Sequence, residues 1–304
     1  MSGDRAAHRS RPTARSPPLI DAPAGSTLRD RLRDLHPRTS GRRLKQWLEA
    51  GRVTLNGIVV RRGDVAVGSG DRVALTAPPP PAFPAALRLV HEDEGIIVVD
   101  KPAGLLTIAT ESERERTVYR LLRDWFEARG GGRIFVVHRL DRETSGLLVF
   151  ARSVDVKRWL QQQFEARRPE RVYVARVEGI VRAPTGTLTS RLAEDRTLRV
   201  RPTRDRRRGR EAISQYRVLE RYRDATLLEI QLHTGRRGQI RAQLAALGHP
   251  IVGDRAYGGH RDPLRRVCLH ATRLGFDHPD GRRFVFESAP PPGFRGDGAA
   301  GIAR

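Results

Sequence analysis

The residue types best suited to chemistry crowd into one short stretch, I-F-V-V-H-R-L-D-R-E-T-S-G-L-L-V-F-A-R, Ile134 to Arg152. In its middle stand His138, Arg139, Asp141, Arg142, Glu143, Thr144 and Ser145, closed by Gly146. An ionised carboxylate such as Asp141 can attack an electron-poor carbon, stabilise positive charge developing there, or remove a proton. Glycoside hydrolysis would need a second carboxylate, for which Glu143 is the candidate at hand. Composition alone favours a plain charged hairpin tip.

The flanking elements argue for more than a tip. Ile134 to Val137 and Leu147 to Ala151 have the length and the β-branched or aromatic content of buried strands. A polar loop held between two core strands presents its side chains rigidly. Upstream, I-I-V-V-D-K-P-A-G-L-L-T, Ile96 to Thr107, reads as a buried strand stopped by Lys101-Pro102 and Gly104. Thr117 to Ala128 is helical in spacing, with Val118, Leu121, Leu122 and Trp125 on one face and the glycines Gly130 to Gly132 at its end. Ser153 caps a helix through Arg167 with a face of Val156, Trp159, Leu160 and Phe164, spacing that suits a core. R-V-Y-V-A-R-V-E-G, Arg171 to Gly179, alternates as a strand. Arg191 to Glu211 reads as a polar, arginine-heavy insertion containing R-D-R-R-R-G-R, Arg204 to Arg210. Ala212 to Leu219 and Ala225 to Leu232 form an expected antiparallel pair. Ile240, Leu244 and Leu247 mark a last helix, stopped by Gly248 and Pro250.

The chain has 304 residues, with 57 Lys+Arg against 35 Asp+Glu and a formal net charge of +22. The excess is mostly arginine, which forks onto phosphate and stacks on bases, the electrostatic footprint of a nucleic-acid binder. The single cysteine, Cys268, lies in an apolar run and is better read as core than as a nucleophile. One cysteine allows no intrachain disulfide and no thiolate metal cluster, which fits a cytoplasmic setting. No apolar run has membrane-spanning length. Residues 1–24 are basic and rich in Ser, Ala and Pro, and Pro12, Pro17, Pro18 and Pro23 oppose the amphipathic helix of a transit peptide, so a disordered tail is expected. Ser26 or Thr27 can cap a helix carrying Leu28, Leu32 and Leu35, and Ser40 a second one with Leu44, Trp47 and Leu48, ended by Gly51. R-V-T-L-N-G-I-V-V then reads as a hairpin around Asn56-Gly57, and Asp71 to Leu75 as a further strand. The expected domains are 25–77, a proline-rich linker at 78–86, a large domain at 87–294 and a flexible tail at 295–304.

The ordered motifs resemble a known family. H-R-L-D-x-x-T-S-G-L-L-V-F-A closely resembles the signature of the RluA-type RNA pseudouridine synthases. D-K-P-A-G, standing before it, is similar to the opening motif of that family, and R-V-Y-V-A-R-V to a third, with Arg171 where the family usually has Lys. T-G-R-R-G-Q-I-R-A-Q-L, Thr234 to Leu244, resembles T-G-R-x-H-Q-I-R-x-H-L but departs from it at Gly238 and Gln243, where the pattern has His. The two N-terminal helices with their hairpin resemble an αL-type RNA-binding module. The resemblance implies an α+β fold with a mixed, mainly antiparallel central sheet flanked by helices, plus a small N-terminal αL-type domain.

It also implies an RNA uridine isomerase working without cofactor or metal, and the sequence shows neither a dinucleotide fingerprint, a P-loop nor a ligand-spaced Cys or His cluster. By the resemblance Asp141 is catalytic, Tyr173 stacks on the target uracil, Arg139 fills the place that the flipped base vacates, Ile240 walls the pocket, and Arg241 pairs with Asp141. Two unit charges ~4 Å apart interact by roughly 4 kcal/mol at an effective dielectric of about 20, enough to keep a desolvated carboxylate ionised. Phosphate contacts are expected from Arg42, Arg43, Lys45 and Arg52 in the N-terminal module and from Arg206, Arg207 and Arg208 in the insertion. Large-subunit ribosomal RNA is the expected partner ahead of transfer RNA, with the protein a monomer. The rival reading is an RNA-binding ribosome-assembly factor whose chemistry is lost, for which Gly238 and Gln243 are the only support.

Overall fold

A computed structural model describes residues 26–77, 81–111, 113–195 and 199–295. The basic tail expected at 1–24, Pro78 to Pro80 and nearly all of the expected C-terminal tail lie outside the described residues. The chain divides into two compact units at Pro81.

In the first unit Ser26–Thr27 (β1) leads into the helix Leu28–Leu35 (α1). Thr27 caps it in a reciprocal capping box with Asp30, satisfying donors that the first turn would otherwise leave bare. Ser40 caps Gly41–Glu49 (α2). The strands Val53–Leu55 (β2), Ile58–Val59 (β3), Ala66–Val67 (β4) and Val73–Leu75 (β5) follow. They form a three-stranded antiparallel sheet in the order β3-β2-β5 and a short β1-β4 pair. Leu28, Leu32, Leu44, Leu48, Val53, Val67 and Val73 close one small core.

The second unit holds Arg88–Glu92 (β6), Ile96–Lys101 (β7), Val118–Ala128 (α3), Phe135–Val136 (β8), Ser145–Ala151 (β9), Val154–Glu165 (α4) and Glu170–Glu178 (β10). Thr185–Glu194 (β11), Val200–Pro202 (β12), Arg210–Arg221 (β13), Ala225–Leu232 (β14), Gln239–Ala246 (α5), Leu269–Asp277 (β15) and Arg283–Glu287 (β16) complete it. Eleven strands form one sheet, β12-β11-β13-β14-β10-β15-β9-β7-β6, with β16 beside β15 and β8 beside β9. Of its pairings only β9 with β15 is parallel. The continuous apolar runs of β7 and β9 follow from burial on both faces. Ile97, Val99, Leu148 and Phe150 pack with Val118, Leu122, Trp125 and Phe126 of α3, while Ile96, Val98, Leu147 and Val149 pack on the other side with Leu160 of α4.

Several expectations shift. The strand expected at 134–137 is only Phe135–Val136, and the one after the loop begins earlier, at Ser145. Much of the expected insertion at 191–211 is strand, since β11 runs to Glu194, β12 pairs back on it, and β13 starts at Arg210. Trp159, expected in the face of α4, is largely exposed and donates its indole N–H to the Asp277 carbonyl. Leu247 is likewise exposed, beyond the end of α5. From Pro81 onward the expected linker packs on α3: the Trp125 indole donates to the Pro81 carbonyl, and Phe83 meets the Trp125 ring edge-on.

The parallel junction rests on Gly146. Its φ is +112°, and a Cβ there would lie 2.3 Å from the Ala271 carbonyl oxygen. Gly146→Ala therefore combines positive-φ strain with a backbone clash that neither strand can relieve, and should cost about 3 kcal/mol or more. Denaturant unfolding of the two proteins measures it; equal midpoints and slopes would remove Gly146 as the condition for the junction.

Candidate active site

The loop from Val137 to Thr144 hangs between β8 and β9, and its backbone is braced from both sides of Asp141. Thr107 Oγ1 accepts from Leu140 N–H at 3.2 Å and donates to the Leu140 carbonyl at 2.8 Å. The Arg142 carbonyl accepts from Gly104 N–H at 2.8 Å and from Lys101 Nζ at 3.1 Å. Lys101 is fully buried and also donates to the carbonyls of Pro102 and Leu105. Burial pulls its pKa down to about 7, against the pull of Glu143 and Asp141, whereas donating to all three carbonyls calls for the ammonium form. Thus D-K-P-A-G-L-L-T, which reads in sequence as a strand and a turn, is the frame that fixes Asp141. His138, at the loop's start, stacks on Phe164 and accepts from Val149 N–H. Burial pushes its pKa down to about 3, with Arg171 adding to the effect, so it is neutral and structural.

Asp141 lines two adjoining cavities. One is an open cleft of ≈ 580 Å³ bounded by Arg139, Asp141, Glu143, Arg241, Tyr257 and Arg266 among others. The other is a smaller pocket of ≈ 110 Å³ whose wall combines Leu140, Tyr173, Leu232, Ile240 and Leu269 with arginines that include Arg139 and Arg241. Among the described residues Asp141 is the one carboxylate lining the smaller pocket, whereas Glu143 lines only the cleft. Tyr173 is aimed by sheet register: a bulge between Val172 and Tyr173 sets it opposite Ala271, itself opposite Gly146. Burial raises its phenol to about 12, so it offers a neutral ring. Arg139 is exposed at the rim, and Ile240 is buried at the start of α5.

Arg241 keeps the expected pairing with Asp141 and adds a tighter one. Its strong partner is Asp254, met in a bidentate bond with Nε to Oδ2 at 2.6 Å and NH2 to Oδ1 at 2.7 Å. Asp141 Oδ2 stands 3.9 Å from NH1, and the guanidinium lies over the Tyr257 ring at 4.8 Å. Asp254 and Tyr257 thus orient Arg241, which turns a remaining edge towards Asp141. Sequence reasoning missed both. The available signal was an acidic residue inside the apolar turn I-V-G-D, with an aromatic three residues on.

The two departures at the T-G-R segment have physical accounts. Gly238 starts α5 at φ +57°, and a Cβ there would lie 2.8 Å from the Tyr257 hydroxyl, so the tyrosine uses that space. Gln243 is buried and fully bonded, accepting from Ser214 Oγ and donating to Ser190 Oγ and to the carbonyls of Leu188 and Ala212. Both positions are accommodated locally, Gly238 by the Tyr257 hydroxyl beside it and Gln243 by its four bonds.

The residues expected to touch RNA lie apart from Asp141 in the chain. Arg42, Arg43 and Lys45 are exposed on α2, and Arg52 is half-buried over the Trp47 ring. Arg206, Arg207 and Arg208 are exposed in a turn that Asp205 organises by accepting from the N–H groups of Arg207 and Arg208. Among the described residues no group of His, Cys, Asp and Glu has the arrangement of a metal site, and no helix is long and apolar enough to cross a membrane.

Residues 95–246 match the family described as RNA pseudouridylate synthase. An RNA pseudouridine synthase of Aquifex aeolicus is 34% identical over 281 residues, which span 86% of this chain and 89% of that one. Ribosomal large subunit pseudouridine synthase D of Pseudomonas aeruginosa is 36% identical over 281 residues, covering 86% and 87% of the two chains. In fold, human RNA Pseudouridylate Synthase Domain Containing 4 superposes with a TM-score of 0.57 at 23% identity, over 68% of this chain and 90% of that chain. Human RNA Pseudouridylate Synthase Domain Containing 1 gives 0.58 at 23% identity, over 67% and 84%. With a family match over residues 95–246 and relatives about a third identical over most of both chains, the chain belongs to the RluA-type RNA pseudouridine synthases and is an RNA uridine isomerase.

Proposed function

We propose that the protein converts uridine to pseudouridine in large-subunit ribosomal RNA, with Asp141 acting at the ribose of a flipped-out nucleotide. The observation that carries this is that Asp141 is, among the described residues, the one carboxylate lining a small pocket with Tyr173, Ile240 and three leucines in its wall, and that it also lines the arginine-rich cleft adjoining it. The reaction breaks and remakes a bond within one nucleotide, so it consumes no co-reactant and, in this reading, needs no cofactor or metal. Extruding the base costs roughly a few kcal/mol. Tyr173 offsets part of that by stacking, Arg139 enters the gap left in the RNA, and Ile240 with the neighbouring leucines keeps water from competing at the ribose. Arg241 holds the carboxylate charged. The choice of RNA is supported by the name of the Pseudomonas aeruginosa relative. The N-terminal unit acts as an αL-type RNA-binding module through Arg42, Arg43, Lys45 and Arg52, and Arg206, Arg207 and Arg208 contact phosphate further along. The setting is a cytoplasmic monomer on ribosomal RNA.

Pseudouridine mapping of ribosomal and transfer RNA from cells lacking this protein, restored with wild-type or Asp141→Asn chain, tests the proposal. A large-subunit site should vanish and return only with the wild type. In purified form Asp141→Asn should lose turnover by roughly 10³-fold or more while RNA affinity stays within a few-fold. Near-normal turnover would take Asp141 out of the mechanism.

Arg241→Met would leave Asp254, 1% exposed in its side chain, as a buried unpaired charge. A stability loss of about 3 kcal/mol or more is expected, together with loss of turnover. Asp254→Asn should keep more of the stability yet still lower turnover, because Arg241 is no longer held on both nitrogens. Chemical denaturation alongside steady-state rates checks both, and a fully active Asp254→Asn would leave Arg241 without need of its anchor.

Removing residues 1–80 should raise KM for a large folded RNA and largely spare the turnover number. Each lost phosphate contact should flatten the slope of log affinity against log salt by about 0.7 to 0.9. An unchanged slope with lower thermal stability would make the first unit a structural prop.

A further inference from the structure

The cleft is lined by eight arginines in two classes. Arg142, Arg237, Arg241 and Arg255 each pair with a carboxylate. Arg139, Arg199, Arg265 and Arg266 have no such pairing among the described residues, and three of these are exposed chains able to swing. Arg266 differs in being half-buried and fixed.

Three contacts hold it. Its NH2 donates to Ser145 Oγ at 2.7 Å, its Nε donates to the Val267 carbonyl at 3.2 Å, and its guanidinium lies 5.1 Å from the centre of the fully buried Phe294 ring. Ser145 is in turn set by a buried chain. Its Oγ meets His270 Nδ1 at 2.8 Å, and His270 Nε2 reaches the Ser288 carbonyl at 3.3 Å and hydroxyl at 3.2 Å. Ser288 Oγ donates to Asp100, which also accepts from Arg88. Burial keeps the His270 pKa below its ordinary range, against the raising effect of Asp100, so the ring is neutral. With the ring proton on Nε2 for Ser288, Nδ1 takes the Ser145 hydrogen and a Ser145 lone pair is left for Arg266. Burial also lowers the Arg266 pKa, outweighing the raising effects of Cys268, Asp100 and Glu143.

A fixed, partly desolvated guanidinium facing an open cleft gains when an anion arrives. In a ribonucleotide the anion is phosphate. Its place relative to the reacting carboxylate is also set, because Ser145 lies four residues past Asp141 and the Asp141 carbonyl accepts from Thr144 N–H, tying the turn. We propose that Arg266 holds a non-bridging oxygen of a phosphate flanking the target uridine, with Ser145 and His270 as its positioning residues. The phosphate anchor then fixes the ribose of the flipped nucleotide beside Asp141, which lines the same cleft. The inference rests on Asp141 being the reaction centre.

The probes are synthetic RNA stem-loops carrying the uridine found by mapping, either unmodified or with one neutral methylphosphonate at the linkage on its 5′ or its 3′ side. Wild-type turnover on the unmodified stem-loop tests the reaction centre itself and is read first. For the wild type, one of the two methylphosphonates should lower kcat/KM on the order of tenfold or more, the loss of one charge-assisted hydrogen bond. In Arg266→Gln the unmodified RNA should react more slowly by a similar factor and the same methylphosphonate should add almost nothing. Arg266→Lys keeps the charge and should keep part of the discrimination, which covers the case in which Arg266→Gln does not fold. His270→Gln should show intermediate discrimination, whereas a purely structural His270 would lower stability and leave the discrimination whole. The proposal is overturned if neither methylphosphonate slows an active wild type, or if the penalty is the same in the wild type, Arg266→Gln and Arg266→Lys.

Discussion

One close approach governs the catalytic unit. At Gly146 the backbone of β9 comes so near to β15 that no side chain fits between them, and only there do two strands of the large sheet run parallel. The sheet thereby joins β6, β7, β8 and β9, with helices on both faces, to the antiparallel strands β10 to β15. The Asp141 loop enters from the first set, and Tyr173, Ile240 and Arg241 come from or beside the second. A wider seam would separate the carboxylate from the ring and the guanidinium that surround it. The register is set in the same place, since Tyr173, Ala271 and Gly146 lie in one row across three strands.

Rigidity of the loop has a separate source. A buried ammonium is costly, and Lys101 is retained because three carbonyls converge on it, one of them from Arg142. Thr107 supplies the matching restraint at Leu140. Asp141 therefore sits between two residues whose backbone cannot drift, while its own side chain stays open to the cleft. Positioning within a few tenths of an ångström is what distinguishes a reacting group from a merely nearby one.

Much of this was legible in the chain. I-I-V-V and L-L-V-F-A announce strands buried on both faces, and Thr27, Ser40, Thr117 and Ser153 are the helix caps that their side chains suit. What stayed hidden lacked an apolar signature. β11 alternates Thr, Ser and Arg with its few apolar residues, and β12 is three residues at a sheet edge, so charge masked strand. Trp159 has the spacing of a core residue, yet it lies at the margin of α4, where its N–H finds a carbonyl and its ring stays wet. Within the site, Asp141, Tyr173 and Arg241 were marked by motif order. Lys101 stood in the D-K-P-A-G motif without a role, and Asp254 and Arg266 went unmarked because their partners Arg241 and Ser145 lie elsewhere in the chain.

Gln243 has a consequence for the conditions under which the enzyme keeps its shape. It ties α5, the helix that carries Arg241, to β11 and β13 through both ends of one amide. An imidazole at that position would exchange an acceptor for a donor on gaining a proton, and acidification would set it against whichever neighbour it had been accepting from. A carboxamide has no such transition. Its donor and acceptor ends stay as they are across the whole range in which histidine titrates, so the attachment of the Arg241 helix to the sheet is indifferent to acid.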